Sequence, residues 1–209
     1  MSTVELLSGL DHGIVIVVGS GKMGKSCAGH TIAAIFWNHR PKYFLDPEDI
    51  DVSVFPEYIH VKDTVDIPPG SVIFIEDVNR LFASRGSSNK SAIQKWLTAV
   101  SQKDYVVVLT TQSFADTDMA FARSQNTVFI HKYMWHDDIA FERDELQLQQ
   151  VAANLAIDDY AAQHPDIDRR SICYCPRHGD IIVLPVVGWW KDGVHSHIFR
   201  EVPLSLMSP

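Results

Sequence analysis

Gly19-Ser20-Gly21-Lys22-Met23-Gly24-Lys25-Ser26, or GSGKMGKS, fills every fixed position of the pattern G-x-x-x-x-G-K-[ST]. The run before it, Gly13-Ile-Val-Ile-Val-Val18, is continuously apolar and β-branched, as in a strand buried on both faces of a parallel sheet. After it, Ala28, Ile32, Ile35 and Phe36 recur at helical spacing until Pro41 ends the pattern. A glycine-rich loop between such a strand and such a helix is a phosphate-binding loop rather than a chance turn. Its glycines let successive N–H groups converge on phosphate oxygens, at the positive end of the helix. Lys25 then carries an ammonium to the β and γ phosphates, and the Ser26 hydroxyl suits Mg²⁺. Gly19 through Gly24 and Cys27 complete the expected cradle around ATP. Lys22, a second basic residue in the loop, reads equally well as a solvated charge.

Working outward, Ser71-Val-Ile-Phe-Ile75 is a second buried-type strand, announced by Pro68-Pro69-Gly70 and running into Glu76-Asp77. Two acids at the end of such a strand suit metal binding and activation of water, with Glu76 holding Mg²⁺ and Asp77 orienting the attacking water. The plainer reading is an acidic helix start that favours the dipole, and the phosphate loop weighs against it. Tyr105-Val-Val-Val-Leu109 is a third strand, ending in Thr110-Thr111-Gln112, where Gln112 is the candidate sensor of the γ phosphate. Asn126-Thr-Val-Phe-Ile130 is a fourth. Tyr43-Phe-Leu45 and Tyr58-Ile-His-Val61 read as short strands between the loop helix and the acidic strand, leaving room for an added strand between those two.

The expected fold class is α/β, a mainly parallel central sheet with helices on both faces. One domain over residues 1–209 is expected, with a core at about 11–135 and an extension at about 136–209. The extension reads as a polar helix from about Asp137 to Ala162, whose Gln147 to Gln150 form a solvated face. A hairpin follows, with Ile172–Cys175 and Ile181–Pro185 around the turn Pro176-Arg-His-Gly-Asp180.

Composition removes several function classes. With 46% hydrophobic and 21% charged residues in 209, the chain is an ordinary globular one. It shows no run of about 18 apolar residues and no basic, apolar leader, so a soluble, intracellular protein without a membrane span is expected. A net charge of −8 argues against a surface coated with nucleic acid, while leaving room for a few basic residues lining a pore. Three cysteines make no disulfide framework. Cys173 and Cys175 share a strand face near His178, and His195 and His197 repeat that spacing; free thiols and surface histidines fit this better than zinc. Trp189 and Trp190 read as hairpin packing before a DNA-stacking or subunit-contact surface.

From Gly13 to about Tyr133 the chain resembles the FtsK–HerA superfamily of P-loop motors, especially small viral genome-packaging ATPases and zonula-occludens-toxin-like phage assembly proteins. The segments that carry the resemblance are GSGKMGKS, SVIFIEDVNRLFASRG and DYVVVLTTQSFADTD. It implies a sheet of the ASCE type, Mg²⁺-dependent ATP hydrolysis, a homo-oligomeric ring and movement of double-stranded DNA, with a capsid or portal as partner in the host cytoplasm or virion. Such motors use an arginine from a neighbouring subunit, for which Arg85 and Arg123 are the candidates. The family writes its acidic pair Asp-Glu, whereas this chain has Glu76-Asp77. Alternative readings are a filamentous-phage assembly or secretion ATPase, a small-molecule kinase and a nucleotide-gated binding module; no acceptor site or arginine-rich lid supports the kinase.

Overall fold

A computed structural model describes residues 2–48, 50–78, 89–113, 126–191 and 194–195. No residue of strand β1 (Gly13–Val18) is exposed. Its side chains divide by parity, Val15 and Val17 entering one core, Ile14, Ile16 and Val18 the other. β4 (Val72–Ile75) and β5 (Val106–Thr111) divide in the same way, Phe74 and Val108 on the first face, Ile75 and Leu109 on the second. Successive side chains of a strand point to opposite faces, so apolar runs of this kind require cover on both sides.

Helix α1 (Thr3–Ser8) and helix α2 (Lys25–Phe36) cover the first face through Leu7, Ala28, Ile32 and Ala33. The second is covered by α3 (Asn89–Gln102) through Val100, by α4 (His136–Ile139) through Ile139, and by α5 (Asp144–Gln163) through Leu146. Sequence reading did not anticipate α1, although Ser2-Thr-Val-Glu5 spells a capping box, and both of its reciprocal bonds are made.

The eight strands run in the order β3-β2-β4-β5-β1-β6-β7-β8, with β2 at Lys42–Leu45, β3 at Tyr58–Val61, β6 at Thr127–His131, β7 at Ile172–Cys175 and β8 at Asp180–Val183. All pairs from β3 to β6 are parallel. The strand between β1 and β4 is β5, from later in the chain, while β2 and β3 lie outside β4. Crossover connections, not order along the chain, decide that placement. The C-terminal hairpin is continuous with the sheet, since β7 pairs antiparallel with β6 at His131↔Tyr174 and with β8 along its length.

The solvated face expected at Gln147 to Gln150 needs a correction. Gln150 is 2% exposed; its Oε1 meets His131 Nδ1 at 2.7 Å and its Nε2 donates to the Lys132 carbonyl at 2.9 Å. One turn on, Asn154 bonds both the N–H and the carbonyl of Met134, at 3.0 and 2.6 Å. The chain leaving β6 buries backbone groups that no strand pairs, and these amides satisfy them.

Burial lowers the His131 imidazole from 6.5 to about 4, against the opposing effect of Gln150. Between those values the unfolded chain binds a proton that the native chain refuses, so stability falls as pH falls through that window. His30, held well below its usual value by burial, acts with the same sign. Denaturant unfolding at pH 7 and pH 4 should show a loss of about 3 kcal/mol from His131 alone, reduced in His131→Gln. Equal acid sensitivity of the two proteins would contradict this.

Candidate nucleotide-binding site

The phosphate loop leaves β1 and enters α2 across two pieces of chain from distant parts of the sequence. Gly24 sits at the helix N-cap with φ 78°, and a Cβ there would lie 2.9 Å from the Arg170 carbonyl oxygen. A Cβ at Gly19 would lie 2.7 Å from Lys132 Cβ. Only glycine permits both approaches. Beneath the loop, the fully buried Lys132 ammonium donates to the carbonyls of Arg170 and Ile172 and lies 3.5 Å from Cys173 Sγ. One buried cation thereby draws the segment before β7 against the loop.

Ser20, Met23 and Gly19 do not line the cleft. The buried Ser20 hydroxyl accepts from the Trp135 N–H at 2.7 Å and donates to Asp138, and its own N–H donates to the Tyr133 carbonyl at 3.2 Å. These contacts anchor the loop's first residues. Gly21, Lys22, Gly24, Lys25, Ser26 and Cys27 do line a cleft of about 600 Å³, together with Glu76, Asp77 and Gln112.

Strand register assembles the acidic side. Val18 is level with Thr111 across the β1–β5 pair, and Ile75 with Leu109 across β4–β5, so the loop, the acidic pair and the polar end of β5 emerge at one edge. There the Ser26 hydroxyl donates to Glu76 Oε1. Asp77 has a left-handed backbone, φ 53°, and its N–H donates to Thr110 Oγ1 at 3.0 Å. A non-glycine residue in that conformation persists only where its surroundings hold it, and such residues cluster at functional sites. Lys25 Nζ donates to the Ser20 carbonyl at 2.9 Å. Burial lowers its pKa, while the carboxylates of Glu76, Asp77 and Asp138 pull it back up. A partly desolvated ammonium among three acids is prepared to take an anion in exchange for its carbonyl partner.

The structure adds Arg170, Thr110 and Trp190, which sequence reading missed as site residues. Arg170 lies in a 3-10 turn, Arg169–Ser171, capped by Asp168, whose carboxylate holds the guanidinium at 3.0 and 2.8 Å while the residue lines the cleft. The Asp168 cap was legible; an encounter between residues 24 and 170 was not. Trp190 also lines the cleft, its ring stacked on His195 at 5.1 Å, whereas Trp189 packs edge-on to Phe55 at 5.8 Å. Cys173 and Cys175 are buried in the first core and, with His178, form no metal-binding cluster among the described residues. His195 is engaged by the Lys191 N–H and the Val54 carbonyl, both at 2.8 Å. Arg85, Arg123 and His197 lie outside the described residues.

No family model and no curated protein matches the chain in sequence. In structure it is similar to the genome packaging NTPase B204 from Sulfolobus turreted icosahedral virus 2 in complex with AMPPCP. That match has 16% identity and a TM-score of 0.54 over 85% of this chain and 99% of that one. The ATP-gammaS complex of the same NTPase gives 0.53. Thermomonospora curvata EccC (ATPases 2 and 3) matches 96% of this chain and 42% of its own at 12% identity, with a TM-score of 0.53. The likeness shows the fold, that of a P-loop NTPase with a mostly parallel sheet.

Gly24→Ala should weaken nucleotide binding at least tenfold, since a Cβ at positive φ costs about 1–2 kcal/mol before the clash with Arg170 is counted. Titration of a fluorescent ATP analogue measures this, and wild-type affinity in the variant would refute the steric reading.

Proposed function

We propose that this chain is a Mg²⁺-dependent ATPase of the DNA-translocating class, acting in viral genome packaging as a homo-oligomeric ring on double-stranded DNA. The observation that carries the catalytic part is the bond from the Ser26 hydroxyl to the Glu76 carboxylate, which brings loop and acidic strand together beside Lys25. Hard oxygen donors at this point suit magnesium, which Ser26 and Glu76 would hold and which would neutralise charge on the β and γ phosphates.

The chain's own residues account for the rest. Amides of the loop and the N-terminus of α2 receive phosphate oxygens, and Lys25 leaves the Ser20 carbonyl for the γ phosphate. Asp77, next to the metal carboxylate and held by Thr110, orients the attacking water. Gln112 lies beside the loop, its Oε1 4.0 Å from where a Cβ on Gly21 would stand, and reports the state of the γ phosphate. Arg170 adds a positive charge from the same chain, and Arg85 or Arg123 is the proposed contribution of a neighbouring subunit.

Motor activity is supported by the fold shared with a viral genome packaging NTPase. Assembly is supported by an exposed apolar row on α5, Leu148, Val151 and Leu155, at helical spacing. No helix among the described residues is long and apolar enough to cross a membrane. The proposed setting is the host cytoplasm or virion, beside a capsid or portal.

Steady-state ATP hydrolysis with and without double-stranded DNA tests the proposal. Turnover should rise with DNA, and Lys25→Ala and Glu76→Gln should each lower it by about 100-fold or more. Acceptor-dependent phosphoryl transfer would instead indicate a kinase, and binding without turnover a nucleotide-gated module. Native mass measured with ATP and DNA should give a closed oligomer. Purified protein that binds no ATP would overturn the reading altogether.

A further inference from the structure

His30 lies one helical turn beyond Ser26 on α2, so both side chains leave the helix on the same side. The ring is fully buried in an aromatic cage, stacked on Phe74 at 3.8 Å and on Phe55 at 4.8 Å, with Tyr58 edge-on at 5.0 Å. Phenylalanine would fill that space without bringing a polar atom into it. The histidine must therefore be explained by its nitrogens.

Nδ1 lies 3.0 Å from the Tyr58 hydroxyl. Burial pushes that phenol well above its usual range, so it keeps its proton, and a buried O–H must donate. Its partner among the described residues is Nδ1, which therefore accepts. A ring whose Nδ1 accepts carries its hydrogen on Nε2. Nε2 is buried, has no hydrogen-bond partner among the described residues, and lies 4.0 Å from Glu76 Oε2. The other oxygen of that carboxylate takes the hydroxyl of Ser26.

We infer that His30 is a positioning residue for the metal-binding carboxylate: its Nε2–H, set by Tyr58, holds Glu76 Oε2 from the core side and keeps Oε1 turned toward Ser26 and the cation. The inference rests on the Mg²⁺-ATPase reading above. When the Ser26 hydroxyl turns to a metal, a donor on the far oxygen of Glu76 preserves the carboxylate's geometry. The 4.0 Å separation is longer than a hydrogen bond and closes with a shift of about 1 Å in Glu76. Metal-ligand carboxylates are commonly oriented by such outer partners, whose removal weakens metal binding about 10–100-fold.

The test measures Mg²⁺ binding rather than turnover. A fluorescent ATP analogue is titrated onto wild type, His30→Phe and His30→Gln, first in EDTA and then across a Mg²⁺ series, with Tm recorded for each. His30→Phe keeps the cage and removes both nitrogens, and it should need at least about tenfold more Mg²⁺ for half-maximal effect. Its affinity in EDTA should stay within about twofold of wild type, because nothing on the phosphate loop has changed. His30→Gln restores a donor near the position of Nε2 and should recover most of the Mg²⁺ response. A wild-type Mg²⁺ response in His30→Phe, or equal impairment of both variants, would overturn the inference. Should His30→Phe fail to fold, Tyr58→Phe removes only the hydroxyl that sets the tautomer and is read in the same way. Absence of any Mg²⁺ effect on nucleotide binding in wild type would instead sink the ATPase reading beneath it, a separate result.

Discussion

β1 is paired in parallel with β5 over Gly13–Val18 on one side and with β6 over Ile14–Val18 on the other, and is covered on both faces. A strand so confined has no freedom of register, because a slip of one residue would exchange the side chains of the two cores. The point at which the phosphate loop leaves the sheet is set by that constraint. So is the level of Thr111, opposite Val18, and through β5 the level of Ile75 and the acids that follow it. Apolar packing remote from any phosphate thus brings Lys25, Ser26, Glu76, Asp77 and Gln112 to one cleft.

The loop's underside is held by polar contacts instead. Lys132, Ser20, Gln150 and Asn154 all bury hydrogen-bonding groups among chain segments that have no strand partner there. A buried polar group left unpaired is costly, so each of these bonds discourages alternative placements of the chain behind the loop more than it adds net stability. The loop is therefore preformed: its hydroxyl at Ser20 is committed to the scaffold, while Lys25 and Ser26 hold exchangeable partners on the cleft side. Nucleotide binding on such a loop needs little ordering of the backbone.

The acidic pair shows how strand and turn divide the labour. Glu76 continues the direction of β4 and meets Ser26, whereas left-handed backbone at Asp77 turns the chain and gives its N–H to Thr110. The order Glu-Asp thus puts the longer carboxylate beside the loop serine. On the proposed reading, Glu76 is the metal-side acid and Asp77 the acid that faces the water.

Much of this was legible in the amino-acid sequence because it is local. GSGKMGKS between a β-branched run and a helical pattern, a strand ending in two acids, and apolar runs lacking polar alternation each carry their meaning within about ten residues. They determined an α/β fold, a phosphate loop, and a mainly parallel sheet covered on both faces. Tertiary structure alone decided that β5 separates β1 from β4, that the C-terminal hairpin continues the central sheet, that Ser20 faces Asp138 rather than the cleft, and that Arg170 and Trp190 reach it. Gln150 was misread for the same reason: its own surroundings in sequence are polar, and its partners, His131 and Lys132, lie 19 and 18 residues away. Such contacts join segments whose separate patterns carry no record of one another, and they are set only when crossovers and burial bring the segments together.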